Sequence, residues 1–361
     1  MIIGVIMAGG VGERFWPGSR RLRPKQLLRL LTDKSLLEET IRRIEPLIPP
    51  ERVFILTNVT LKGAILNEIP DFPEKNIICE PVGRNTAACL ALAEAVSSAR
   101  FEDPTMAVLT ADHVIRDNAA FLKDVKAACA FAEESKGLLT IGIPPTRPET
   151  GFGYIEAGEP EGDISGVRIF RVNRFREKPD HATAETYIAS GRFYWNSGMF
   201  FWKNSVLRNG LEEYLPETME GINSYRAALG TSREDAVLAE VFPKLPAISI
   251  DYALLEKSDR VYAIAADFGW DDLGTWNALE RWLPGDESGN ILVGNGKLVS
   301  SSNCIVYNPP GEDAPLVASF GIDDMLIVVD GDVVLICPKS RAPELKKLVG
   351  EIRASGLDQY L

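Results

Sequence analysis

The chain has little of what covalent, redox or zinc chemistry needs. Its 361 residues include two histidines, His113 and His181, and five cysteines, at positions 79, 89, 129, 304 and 337. The cysteines are dispersed, odd in number and form no CxxC pair, which excludes a disulfide framework and predicts reduced, mostly buried thiols of a cytoplasmic protein. Two histidines with such cysteines make no zinc site. No Ser/His/Asp or Cys/His set is present for nucleophilic catalysis. Positive charge is also short: 39 Lys and Arg against 51 Asp and Glu leave a formal net charge of −12, and a nucleic-acid-binding surface would need the opposite balance. No apolar run reaches the roughly 20 residues of a membrane-spanning helix. MIIGVIMAGG lacks the basic start of a secretory signal and breaks into glycines within a few residues, so it reads as a first buried strand.

Against this acidic background the N-terminus is basic. Up to Leu30 it holds Arg14, Arg20, Arg21, Arg23, Lys25 and Arg29 against one acid, Glu13. The cations follow a strand and the glycines of MAGGVGERFWPGSRRLRPKQLL. Glycine lets a backbone approach an anion, and amides at a helix start point towards it. The P-loop pattern GxxxxGK[ST] is absent. The dinucleotide pattern GxGxxG lacks its third glycine, and Asp33 lies in a turn before a helix, away from any strand end. What remains is a glycine loop stiffened by Pro17 and Pro24. It suits Arg14 and Lys25 wrapped around a polyphosphate, arginine as a planar fork and lysine as a point charge. A solvated basic loop without a role is the plain alternative.

IIGVIM (2–7), VFILT (53–57), MAVLTA (106–111) and LLTIGI (138–143) are continuous apolar runs, as expected of strands buried on both faces. Helix-like stretches at 35–44, 85–99 and 119–135 alternate with them, and Ser35-Leu-Leu-Glu38 reads as a capping box. The alternation predicts an α/β layered fold with a mainly parallel sheet and ligands beyond the carboxyl ends of the strands, where MAGG and TADH fall. After Gly151, strands with longer loops precede helices around 204–240. From 285 to 361, short strands at regular spacing predict a small β-rich unit, solenoid-like, closed by a charged helix at 341–354. Residues 1–284 are read as the catalytic domain.

AGGVGERFWPGSR…RPKQLL resembles the signature of the sugar-1-phosphate nucleotidyltransferases. EPVGRNTAACLALA, LTADHVI, ETGFGYIE, FREKP, WNSGMFFW, ISIDYALLEKS and DFGWDDLGTW follow in that family's order over about residues 1–285. The Phe-Trp-Pro and Pro-Lys-Gln details are similar to members that act on GTP and mannose 1-phosphate. The resemblance implies a Rossmann-like, glycosyltransferase-A-like three-layer domain with a mixed, mainly parallel sheet, followed by a β-appendage of left-handed β-helix type. It implies transfer of GMP from GTP to mannose 1-phosphate with Mg²⁺ as cofactor, and no nucleic-acid or membrane partner. A sister enzyme with another sugar or nucleotide is the near alternative. A non-catalytic sensor of sugar nucleotides would have lost a metal acid or the loop lysine, and this chain keeps both. Some members add a cupin-like isomerase domain, which the lack of histidine after His181 does not favour here.

Carried over residue by residue, the resemblance assigns the nucleotide to Ala8, Gly9, Gly10, Gly12, Glu80, Pro81, Asn85 and Thr86, with Arg14 and Lys25 on the triphosphate. Asn85 and Thr86 also suit caps of the following helix. Asp112 and Asp272 are the expected metal ligands, since Mg²⁺ takes one or two carboxylates and fills its shell with water and phosphate oxygens. Asp112 would equally suit a turn or helix cap. Asp271 is the alternative to Asp272, because the family often has serine in its place. Lys178 is expected on the sugar phosphate, with Gly153, Tyr154, Glu177, Asn196, Gly198 and Asp251 around the sugar. A strand-end lysine facing solvent is the plain reading of Lys178, and Trp195, Phe200 and Trp202 read as core. Exposed strand edges in the appendage would be covered by pairing two copies.

Overall fold

The computed structural model describes residues 1–311 and 314–361. The four apolar runs are strands: β1 (Ile2–Met7), β2 (Val53–Asn58) and β4 (Thr105–Thr110), then β6 (Leu138–Ile143). Between them lie helices α1 (Leu36–Ile44), α2 (Lys62–Glu68), α3 (Asn85–Arg100) and α4 (Asn118–Glu134), with two short strands, β3 (Ile77–Glu80) and β5 (Val114–Ile115). The expected capping box is half formed, since the Ser35 side chain accepts from the Glu38 amide. Strands β7 (Gly153–Ile164) and β8 (Val167–Glu177), helix α5 (His181–Ser190) and strand β9 (Phe193–Lys203) follow. Helices α6 (Asn204–Tyr214), α7 (Pro216–Ala228) and α8 (Glu234–Val241) lead to β10 (Val261–Ala265) and β11 (Trp270–Asp271).

The main sheet has the order β3-β2-β1-β4-β9-β6-β10-β8-β7. Pairs β1–β2, β2–β3, β1–β4 and β6–β10 are parallel, while β9 and β8 run against their neighbours. Alternating side chains of one strand reach opposite layers. Ile3 and Val5 join the core beneath α3, α6, α7 and α8, and Ile6 joins the core beneath α1, α2 and α4. The result is a three-layer α/β domain.

The end of the chain forms a short parallel coil. Strands β12 (Ile291–Gly294), β14 (Ile305–Asn308) and β16 (Met325–Asp330) stack in parallel, as do β13 (Gly296–Val299) and β15 (Val317–Phe320), and Ser302 bridges Asp323 on a third side. The antiparallel β17 (Val333–Pro338) and helix α9 (Leu345–Ala354) close it. This unit shares a core with the N-terminal loop, in which Phe15, Trp16, Leu28 and Trp276 pack with Tyr307, Leu326, Leu335, Leu345 and Val349. The Trp16 indole donates to the Tyr360 carbonyl at 2.8 Å. Among the described residues no helix is long and apolar enough to cross a membrane.

Candidate active site

The basic cluster of the N-terminus splits into two groups. Arg20 donates to the Asp330 carbonyl at 2.8 Å and pairs with Asp332 at 2.7 Å, and Arg23 pairs with the Asp330 carboxylate. These cations fasten the loop to the β16–β17 turn. Arg29 pairs with Glu68 at 3.2 Å. Arg14 and Lys25 line a cleft of about 550 Å³, together with Gly12, Asp112, His113 and Asp272. So only part of the charge run faces the place where a phosphate would lie.

Glycines shape that place. Gly12 has φ +72°, and a Cβ there would stand 2.4 Å from Lys25 Cβ, so only glycine lets Lys25 fold back over the loop. The Ala8 carbonyl is held by Gln26 at 2.7 Å and by Thr57 at 3.1 Å, and Ser19 donates to the Gly12 carbonyl at 2.6 Å. Gly10 has open space on its side-chain face. The loop is therefore held from behind and bare in front.

Lys25 is buried, and its ammonium donates to Asp112 Oδ2 at 2.7 Å and to the Asp272 carbonyl. Burial works against the charge on Asp112, but Lys25, His113 and the backbone hydrogen bond together outweigh it and hold the carboxyl below its ordinary range. The two adjacent acids differ in their partners. Asp271 is buried; its oxygens take Arg281 on both sides and the Leu273 amide at 2.8 Å. Asp272 lines the cleft, and its carboxyl is pushed up to about 6 by burial, with Asp271 and Asp112 adding to it against Lys25. A cleft carboxylate crowded by other acids suits a divalent cation. No group of three or more candidate ligands occurs among the described residues, so the pair Asp112 and Asp272 fits a hard ion completed by phosphate and water. Trp270 donates to His113 Nδ1 at 3.1 Å, and burial pushes the imidazole down to about 4, keeping it neutral.

Glu80, at the end of β3, is buried beside the glycine loop, 3.6 Å from where a Gly9 Cβ would stand. Its Oε1 has no hydrogen-bond partner among the described residues. Burial pushes its carboxyl up to about 7, with Cys89 pulling it partly back. Pro81 follows at the turn into α3. Asn85 has φ +63° and accepts from the Thr86 amide at 2.8 Å. The Thr86 hydroxyl instead accepts from the Ile250 amide at 2.8 Å, tying the start of α3 to the segment that carries Asp251.

The sugar-side residues meet along β9. Beyond the end of β4, β9 pairs with the start of β7, Trp195 opposite Tyr154. Asn196, Ser197 and Gly198 span the interval, and a Cβ on Gly198 (φ +70°) would stand 3.7 Å from Thr110, two residues before Asp112. Asn196 donates to Asp251 at 3.0 Å and accepts from Thr140 at 2.9 Å. Lys178 pairs with Glu177 at 2.9 Å, and a side chain on Gly153 would strike Glu177. Burial, then the charge of Glu177, pushes Asp251 up to about 6. The Tyr154 ring is fully buried beside Tyr187, and its hydroxyl lies near Trp195, Glu149 and Arg147. Three further residues belong here. Thr140 fixes Asn196, while Arg147 lies 4.9 Å from the Trp195 ring and holds Glu149 at 3.2 Å. Arg147 and Glu149 open the TRPETGFG stretch and were legible there as a charged pair before the glycines; Thr140 lies inside an apolar strand and carried no signal.

Residues 3–288 match the nucleotidyl transferase family model, and residues 294–352 match the MannoseP isomerase/GMP-like beta-helix domain. All of the chain aligns, at 38% identity, with 76% of the length of a mannose-1-phosphate guanylyltransferase of Klebsiella pneumoniae, and at 37% with 76% of one from Escherichia coli. Among solved structures, one described as a mannose-1-phosphate geranyltransferase of Thermus thermophilus superposes with a TM-score of 0.85 at 34% identity, over 98% of this chain and 99% of that one. A mannose-6-phosphate isomerase of Helicobacter pylori superposes with a TM-score of 0.60 at 27% identity, over 75% of this chain and 100% of the other.

Proposed function

The chain belongs to the nucleotidyl transferase family, and on that premise we propose that it transfers GMP from GTP to mannose 1-phosphate, giving GDP-mannose and pyrophosphate. The observation that carries the proposal is the cleft itself: a bare glycine loop lined by Arg14 and Lys25, with Asp112 and Asp272 beside Lys25. It is built to hold a polyphosphate with a cation. The Ala8–Gly12 backbone and the two cations bind the triphosphate. Glu80 offers a buried acceptor to the ring N–H and exocyclic amino donors of guanine, a pair that adenine lacks, and Pro81, Asn85 and Thr86 border the base. Mg²⁺ is the ion this oxygen-only pair suits, and when bound it supplies charge neutralisation at the phosphates.

Mannose 1-phosphate lies along β9, its hydroxyls against Asn196, Asp251 and Glu177 and its ring over Gly153 and Gly198. Lys178 holds its phosphate. A phosphate monoester is largely dianionic near neutral pH, its second pKa being about 6, so the nucleophile needs no general base. Its oxygen attacks the α-phosphorus in line; the new P–O bond forms as the bond to the β-phosphate bridging oxygen breaks, and pyrophosphate leaves with that electron pair. Positioning and positive charge do the catalytic work. The five free cysteines accord with a cytoplasmic enzyme. Exposed Leu316, Phe320, Val334 and Ile336 on the C-terminal unit support pairing of two copies.

Pyrophosphate release across four nucleoside triphosphates and the 1-phosphates of mannose, glucose and N-acetylglucosamine tests the proposal. GTP with mannose 1-phosphate is expected to give the highest kcat/KM. A different best pair would identify a sister enzyme, and no release with any pair would refute the assignment.

A further inference from the structure

One cation on the cleft wall comes from outside the catalytic domain. Lys346, in the first turn of α9, lines the cleft with Glu13, Arg14, Lys25 and Asp272. From this placement we infer that the C-terminal unit completes the active site, with Lys346 binding the β- and γ-phosphates of the nucleotide and the pyrophosphate formed from them. The inference rests on the nucleotidyl-transfer reading above and adds a residue to it.

The base of this side chain is fixed while its charge is free. Leu345 and Val349 flank Lys346 on α9 and are buried in the core shared with Phe15 and Trp16. The Lys346 side chain itself is 74% exposed, and its ammonium is held only loosely, 3.8 Å from Glu13 Oε2. Glu13 has a second partner, Arg353 at 3.5 Å, so it stays paired if Lys346 moves to a phosphate. The neighbouring Lys347 provides the contrast. It is equally exposed, pairs with Glu344 at 2.8 Å and does not line the cleft.

Position along the loop decides which phosphates it meets. Gly9 lies beside Glu80, where the base is read, and Glu13 lies beside Lys346. The nucleotide therefore runs from base to terminal phosphate as the loop runs from Gly9 to Glu13, and α9 stands at the far end. Lys25 is already engaged by Asp112, so an outer cation adds charge where the leaving group gathers it. A mobile ammonium on a rigid helix can both hold pyrophosphate and release it.

The test uses the full chain in both directions, with Lys346→Ala, Lys346→Arg and Lys347→Ala. Lys346→Ala is expected to raise KM for GTP in synthesis, and for pyrophosphate in the reverse reaction, by about tenfold to a hundredfold. KM for mannose 1-phosphate, binding of GMP and the melting temperature should not change. Lys346→Arg should recover most of the loss, and Lys347→Ala should behave as wild type. Calorimetric binding of inorganic pyrophosphate with Mg²⁺ reads the same site without any assumption about sugar or base, and Lys346→Ala should weaken it to the same degree. Unchanged pyrophosphate binding in Lys346→Ala, or an equal loss of GMP binding, overturns the inference. A wild-type protein that binds pyrophosphate through Lys346 yet makes no GDP-mannose would overturn the assigned substrates and leave this site standing.

Discussion

At the end of β11 the backbone turns Asp271 inward, where Arg281 and the Leu273 amide satisfy its oxygens, and leaves Asp272 on the cleft. On the proposed function, the adjacent aspartates divide structure from chemistry. Asp271→Asn should lower stability by about 1.5–3 kcal/mol, the range for hydrogen bonds to charged groups. Asp272→Asn should leave the unfolding midpoint near wild type and lower kcat by about a hundredfold or more. Denaturant unfolding and pyrophosphate release, run on both variants, separate the two roles. The reverse pattern would exchange them. Glu80 adds a pH signature. Burial raises its carboxyl to about 7 from an ordinary 4.5, so the folded protein keeps a proton that the unfolded chain has lost. The stability linked to it is full below about pH 4.5 and is gone once pH has risen through 7. Wild type should therefore lose about 2–3 kcal/mol relative to Glu80→Gln between pH 5 and pH 8. Parallel stability curves for the two proteins would show that Glu80 is not buried as described.

The glycine loop is the element on which the site depends, and it is held mostly from behind. Gly12→Ala puts a methyl on Lys25 and forces an alanine into the left-handed region, a backbone cost of about 1–2 kcal/mol before any clash. Turnover should fall far more than stability, because the displaced residue is Lys25. An alanine variant with normal KM for GTP would contradict the loop geometry. Strands β1, β2, β4 and β6 were legible because a continuous apolar run of six residues has few other uses in a soluble fold. The paired acids, the loop lysine and the β9 asparagine were legible through motifs. Other features were not, because they depend on distant partners. Arg20 and Arg23 read only as members of one basic run, because their partners lie some 310 residues on, at Asp330 and Asp332. Four residues, IICE, are too few to announce β3.

Across the whole molecule, the two units share one apolar core and one cleft. Trp16 and Trp276 of the first pack with Tyr307 and Leu335 of the second, and the Trp276–Tyr307 ring centroids are 4.9 Å apart. Heating should therefore unfold the chain in a single calorimetric transition, whereas two resolved transitions would mean that the units fold independently. The same packing brings Arg14, Lys25 and Lys346 to one cleft in a protein of net charge −12. Arg20 and Arg23 are spent as fasteners to the C-terminal turn, Arg29 pairs with Glu68, and Arg14 and Lys25 line the cleft. The central claim is that the glycine loop, Arg14 and Lys25 grip a nucleoside triphosphate. A crystal structure with GTP bound tests it most directly. The account predicts phosphate oxygens on the Gly10 and Gly12 amides and within hydrogen-bond distance of Lys25 Nζ, and a triphosphate bound away from this loop would contradict it.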